Sequence, residues 1–324
     1  MKETVSLSGH LTESAMGKRL DQAIAERFSE YSRSRLKEWL LDGCIKVNGQ
    51  VVTKAREKVL GNELVEIDAE IEIQVRHEAE DIALDIVYED EDILVINKPA
   101  GLVVHPGAGN KQGTLLNALL HHCPDLENVP RAGIVHRLDK DTTGLMVVAK
   151  NLPAQTSLVA QLQDKTVTRE YEAVVNGTLA AGGLVDAPIA RHPSKRTLMA
   201  VVEGGKDAVT HYRVAERFRA HTRLRLRLET GRTHQIRVHM SSLKYPLVGD
   251  WGYGGVVRPP KGASETLIEG LRAFRRQALH ATILELEHPR TSEWMQFQAD
   301  IPEDMQTLNA LLREDANEHG VDSY

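Results

Sequence analysis

The stretch Gly133–Lys150, GIVHRLDKDTTGLMVVAK, constrains this chain more than any other. Two apolar runs, Ile134-Val135 and Leu145–Ala149, have the composition of short buried strands. Between them lies a polar connection, His136–Gly144, closed by a glycine. Charge at the ends of buried strands costs free energy unless it is partnered, so it is often there for chemistry. A tight turn whose side chains bond their own backbone accounts for Asp141 and Thr142. Asp139, two residues after Arg137, is the candidate for function.

A chain of 324 residues with 41% hydrophobic residues suits two domains, one small and one large. The first twenty residues lack the apolar core of a signal peptide, and no apolar run approaches a membrane span. Cys44 and Cys123 alone can build neither a disulfide framework nor a cysteine-rich zinc site. The expectation is a reduced, cytoplasmic protein with no membrane partner. The net charge of −6 is unevenly spread. Residues 78–92 carry only acids among their charged side chains, and the tail from Asp300 is mainly acidic. What remains is a basic middle, richest between Arg191 and Arg237, and such local stripes form the footprint for a polyanion.

Leu20, Ile24, Phe28 and Tyr31 recur at helical spacing and predict an amphipathic helix within residues 14–31. A second helix is expected from Ser34 through Leu41, stopped by Gly43. Asn48-Gly49 between β-prone residues marks a hairpin over Ile45–Val52, and Leu64–Ile67 supplies a further strand. These elements make a module over residues 1–75, with its core at about 18–75. Arg33, Arg35, Lys37 and Lys46 lie in its basic cluster, for which a solvated helix face is the ordinary explanation. The acidic segment, residues 76–92, is expected to be a linker into a larger domain over residues 84–324.

In that domain Leu84–Tyr88, Ile93–Asn97, Arg169–Val175, Val209–Phe218, Thr222–Leu228, Ala278–Glu287 and Trp294–Ala299 are expected strands. Helices are expected from Thr114 to Cys123, Pro153 to about Lys165, and Pro302 to Leu312. Gly107-Ala108-Gly109 lacks the third glycine of a dinucleotide fingerprint, and no phosphate-binding P-loop is present. His121-His122-Cys123 are adjacent helical residues that point in different directions, a poor metal site. In Thr222–Leu228 the apolar residues share one face while Arg223, Arg225 and Arg227 line the other, which is either a solvated face or an RNA contact. Ile236, Met240 and Leu243 form a helical stripe with Arg232, His234 and Arg237 near its start, donors suited to a carboxylate or phosphate. Strand follows strand without regular intervening helices, so the fold class is α+β, a mixed and largely antiparallel sheet with flanking helices.

Arg19-Leu20-Asp21, Ser32-Arg33-Ser34 and Gly43–Gly49 together resemble the S4 RNA-binding module. That resemblance implies recognition of structured RNA by shape and phosphate contacts, with the basic cluster as the contacting set. Ile96–Gly101, His136–Leu145, Arg169-Glu170-Tyr171 and Gly231–His239 occur in the order found in RNA pseudouridine synthases of the RluA group, which the chain resembles over nearly its whole length. A small departure is Thr143, where many relatives carry serine.

The resemblance implies isomerisation of uridine in large-subunit ribosomal RNA, free or in a pre-ribosomal particle, without metal or cofactor and without an obligate protein partner. The base is detached from C1′, rotated, and rejoined through C5. Asp139 matches the catalytic carboxylate, which either attacks C1′ or removes the 2′ proton. Both roles require the ionised form, which burial opposes and a fixed cation supports. Arg237 matches that cation, and Tyr171 matches the tyrosine that lies against the base and shuttles a proton late in the reaction. A paired uridine must first be flipped out. Arg137 is placed to fill the vacated space or bind the phosphate, with a strand-end ion pair as the competing role, and Arg232 and His234 would position the RNA.

Two rivals remain. Asp139-Lys140-Asp141-Thr142 has the Asp-x-Asp-x-Thr pattern of haloacid dehalogenase-type phosphatases, but His136-Arg137 interrupts the apolar strand they need and no later acidic metal motif follows. A non-enzymatic RNA-binding assembly factor explains the charge pattern, but not Asp139, Tyr171 and Arg237 together.

Overall fold

Leu20, Ile24 and Phe28 come together on the buried face of helix α1 (Leu20–Arg27) in a computed structural model that describes residues 2–72, 77–107 and 109–320. The helix is shorter than its apolar spacing predicts. Gly17 takes φ +78°, and the Leu20 and Asp21 N–H groups donate to Glu57 and Ala55 carbonyls, so the preceding chain pairs sideways instead of coiling. Helix α2 (Arg33–Leu41) is capped by Ser32, whose hydroxyl accepts the Arg35 N–H at 3.3 Å. It buries Leu36, Trp39 and Leu40 against α1, together with Ile45, Val65 and Ile67. Strands β1 (Lys2–His10), β2 (Ile45–Val47), β3 (Gln50–Val51) and β4 (Leu64–Glu72) form an antiparallel sheet in the order β1-β4-β2-β3. Asn48 and Gly49 both have positive φ, as a two-residue hairpin of this hand requires. Sequence periodicity had not marked β1.

These elements make up one compact unit, Met1–Arg76, and His77–Tyr324 make up a second. The second is built on strands β5 (Ile86–Glu89), β6 (Ile93–Lys98), β7 (Thr143–Ala149), β8 (Thr168–Asn176), β9 (Gly183–Asp186), β12 (Val209–Arg217), β13 (His221–Leu228), β14 (Leu279–Glu287) and β15 (Trp294–Gln298); a separate pair comprises β10 (Ile189–Arg191) and β11 (Met199–Val201). The large sheet runs β5-β6-β7-β14-β8-β13-β12-β9, with β15 on β14, and only β7 and β14 pair in parallel. Its central strands are apolar at nearly every position because both faces are covered. Leu94, Ile96, Met146 and Val148 pack on the face that holds α3 (Leu115–His122), while Ile93, Val95, Leu145 and Val147 pack on the face that holds α4 (Leu152–Gln163).

Several sequence expectations change. Ile134-Val135 is not a strand: Ile134 makes a single bridge to Val148 after three consecutive residues, Arg131, Ala132 and Gly133, with positive φ. The acidic segment is bound to the second unit, with Asn117 and Gly113 holding Glu78 and Glu80. The basic face of β13 is partly neutralised, since Arg223 lies 3.1 Å from both Glu172 and Glu216. The acidic tail continues as α7 (Glu303–Glu318), which buries Met305, Leu308 and Leu312 against α6 (Glu265–Ala273), a helix that sequence reading did not mark. Among the described residues, no helix is long and apolar enough to cross a membrane.

Candidate active site

Asp139 sits on the connection entering β7, and that connection is clamped from below. The buried Lys98, at the end of β6, donates from Nζ to the carbonyls of Pro99 (2.7 Å), Leu102 (3.0 Å) and Lys140 (2.8 Å). Burial pushes its pKa down to about 8, against the pull of Asp141 and Asp139. The turn itself closes through the Asp139 carbonyl, which accepts the Thr142 N–H at 3.1 Å. Thr142 accepts from Gln277, and Thr143 shares a hydrogen bond of 2.8 Å with His280. His136 turns inward, and its Nε2 accepts the Val147 N–H at 3.1 Å. Both threonine hydroxyls are thus engaged by neighbouring side chains, Thr142 while lining the cavity.

Helix α5 (Gln235–Ser242) delivers the cation. Arg237 donates from Nη1 to Asp139 Oδ2 at 2.9 Å, and from Nε and Nη2 to the two oxygens of Asp250 at 2.7 and 2.9 Å. Its guanidinium also lies 4.8 Å from the Tyr253 ring centre. Burial opposes the charge on Arg237, but Asp250 and then Asp139 outweigh it and hold its pKa above the ordinary arginine value. His234, at φ +58°, precedes the helix; its Nδ1 is 2.7 Å from the Tyr253 hydroxyl and its Nε2 is 3.8 Å from Asp139 Oδ1. Burial lowers the His234 pKa, although Asp139 opposes that shift.

Asp139, Tyr171, Arg237, Arg137, Arg232 and His234 all line one cavity of about 300 Å³. Tyr171 enters from β8 at 6% exposure, with no protein partner for its hydroxyl among the described residues, and burial raises the pKa of the phenol. Ile236, Leu228 and Leu279 add apolar walls. Arg131, Arg137 and Arg232 are exposed at the rim, where they can meet phosphate. Among the described residues no carboxylate lies within ion-pair distance of Arg137, so a strand-end pair has no partner. Arg33, Lys37 and Lys46 are exposed and Arg35 half-buried in the first unit; Arg33 is 3.6 Å from Asp21.

Sequence reasoning did not single out Asp250 and Tyr253, which sit in a loop with no periodicity to read. A cluster of metal-binding type, Asp90, Asp92 and His288, also forms, but none of it lines the cavity and Asp92 already pairs with Arg290 at 2.7 Å.

Comparison with known proteins follows the same division. The family model for RNA pseudouridylate synthase matches residues 92–242, and the S4 domain matches residues 18–65. The chain is 63% identical over 325 residues, 100% of both chains, to the ribosomal large subunit pseudouridine synthase D of Vibrio vulnificus (strain CMCP6). It is 64% identical over 319 residues, 98% of each chain, to the protein so named from Escherichia coli (strain K12). Among solved structures, human RNA pseudouridylate synthase domain containing 4 superimposes with a TM-score of 0.55 at 27% identity, covering 70% of this chain and 92% of that one.

Proposed function

This chain belongs to the RNA pseudouridylate synthase family, and from that premise we propose that it isomerises uridines of large-subunit ribosomal RNA in the cytoplasm, with Asp139 as the reacting carboxylate. One observation carries the assignment to Asp139: a carboxylate at a cavity wall is held by an arginine that is itself fixed by a second buried carboxylate. Arg237 holds that carboxylate in place through a charge-assisted hydrogen bond of 2.9 Å. One oxygen of Asp139 is occupied by Arg237, which leaves the other for the sugar, whether it forms a bond to C1′ or takes the 2′ proton.

A flipped uridine enters past Arg131, Arg137 and Arg232, whose charges suit the flanking phosphates, and Arg137 fills the space left in the RNA. Tyr171 lies against the base. Its raised pKa keeps the phenol protonated at neutral pH, so it serves as a proton donor rather than a resident base. The S4 module tethers the substrate through Arg33, Arg35, Lys37 and Lys46, which supports structured RNA as the partner.

Tritium release from RNA labelled at uridine C5 tests the reading, since C5 loses its hydrogen only on becoming the glycosidic carbon. Release by the wild type and none by Asp139→Asn, in excess chelator, is expected. Undiminished release by the variant would remove Asp139 from the chemistry.

A further inference from the structure

Arg169 is a cation without a carboxylate. It is 7% exposed, and no acid lies within ion-pair distance among the described residues. Its one protein hydrogen bond among those residues runs from Nη2 to the Glu229 carbonyl at a long 3.3 Å, and no group bonds its buried Nε. The Glu229 carboxylate is turned away to Lys165 and His211. Burying a guanidinium in this way is costly, and burial draws its pKa below the ordinary arginine value. Lys98, another buried cation beside the site, differs because three carbonyls accept from its ammonium.

Position gives the stranded charge a use. Arg169 and Tyr171 are two apart on β8 and share its inward face, and both line the cavity that holds Asp139. Gly231 is the residue against which the guanidinium rests: a Cβ there would lie 2.8 Å from Nη1. Arg237 is already claimed by Asp139 and Asp250, and with both carboxylates ionised those three groups sum to −1. Arg137 and Arg232 are exposed, where water screens them.

Cleavage of the C1′–N1 bond sends its electron pair to N1. If Asp139 attacks, the carboxylate supplies the new bond to C1′; if it takes the 2′ proton, the C2′–H pair becomes a C1′=C2′ double bond. On both courses the detached uracil is an anion, its charge spread over O2 and O4. On both courses Asp139 gives up its charge as the uracil gains one, so the total stays at −1 while the negative charge moves from beside Arg237 to the base, where a further cation would stabilise it.

We propose that Arg169 is that cation, a catalytic residue whose free N–H groups bind the carbonyl oxygens of the uracil as it departs and while it turns. The proposal rests on the synthase assignment above. The anion is consumed when C5 bonds to C1′ and gives up its proton, so the guanidinium needs no permanent partner. Its guanidinium borders the cavity in which that charge exists only during the reaction, the arrangement that lowers a barrier most.

The test uses the full-length protein in single-turnover tritium release, with RNA affinity measured in parallel. Arg169→Gln is expected to lose about 10²- to 10³-fold in rate, the range for removal of one preorganised donor set, with RNA affinity unchanged. Arg169→Lys, which keeps the charge, should retain far more activity. Arg169→Ala should be partly restored by added guanidinium and not by urea, which has the same shape without the charge. A wild-type-like rate in Arg169→Gln would overturn the proposal, as would a rate loss matched by lost affinity. Equal loss in folded Arg169→Lys and Arg169→Gln, with no guanidinium rescue, would make Arg169 a packing residue. No release by the wild type would instead defeat the synthase assignment.

Discussion

Replacing Asp250 by asparagine tests whether the site depends on a residue that never meets substrate. Asp250 is 2% exposed and takes two of the three hydrogen bonds that Arg237 makes to carboxylates. Asparagine keeps the shape but turns an NH₂ toward one guanidinium N–H, so one bond is lost and the other loses its charge. Breaking a buried ion pair by removing one partner costs about 3–5 kcal/mol when the survivor is left alone. Here Arg237 keeps Asp139, which places the expected loss at the lower end, about 3 kcal/mol. The guanidinium then recentres on Asp139, and a shift of about 1 Å in a reacting group costs on the order of 10²-fold in rate. Urea unfolding near neutral pH reads the first number, and single-turnover tritium release reads the second. Binding of RNA should hold, because Asp250 is buried. A variant within about 0.5 kcal/mol of wild type, the range of a surface change, and with an undiminished rate would show that Asp139 and helix α5 hold Arg237 unaided.

Gly144 has φ +113°, and a Cβ there would lie 2.2 Å from the Ala281 oxygen and 2.5 Å from its nitrogen. Gly144→Ala must therefore part β7 from β14, and urea unfolding should report a loss beyond about 4 kcal/mol; a wild-type midpoint would mean the strands yield freely. His221 is fully buried, no described group bonds either ring nitrogen, and burial holds its pKa at about 4 against 6.5 unfolded. The unfolded chain takes up the proton first, so stability falls as pH drops from 6.5 toward 4, by about 1.4 kcal/mol per pH unit for this group. His221→Leu should raise the denaturation midpoint, more at pH 5 than at pH 7, and an equal gain at both would remove His221 as the titrating group. Changing Arg33, Arg35, Lys37 and Lys46 to glutamine should flatten the dependence of log RNA affinity on log salt by about one for each phosphate no longer neutralised, whereas an unchanged slope would make the cluster a solvated face.

Much of the fold was legible because periodicity reports how each segment divides core from solvent. The doubly buried runs of β6 and β7, the alternation of β13 and the Asn48-Gly49 hairpin are all local signals. Asp139 was legible for a related reason, as charge at the end of an apolar run. Its partnership with Arg237 was not, since the two are 98 residues apart and meet only once the strand order is set. The resemblance supplied that pairing, but Asp250 and Tyr253 lie in a loop without pattern, and no spacing announces them.

Charge was the hardest feature to read. Composition located a basic middle, yet a cation's availability to RNA depends on what it already touches, and that is a long-range property. Arg223 is held by Glu172 and Glu216, Arg313 by Glu216, and Arg276 by Asp304, so these cations have acid partners competing with RNA for them. Arg131, Arg137 and Arg232 remain at the cavity rim, where a phosphate can displace water at little cost. Arg169 belongs to neither group, being buried and, among the described residues, without an acid partner. A net charge of −6 is thus compatible with an RNA enzyme, because the charge is unevenly placed: residues 78–92 carry only acids among their charged side chains, while Arg131, Arg137 and Arg232 line the cavity. Under the proposed function, the positive potential that meets RNA comes from the cations without acid partners, among the described residues, that line the cavity with Asp139.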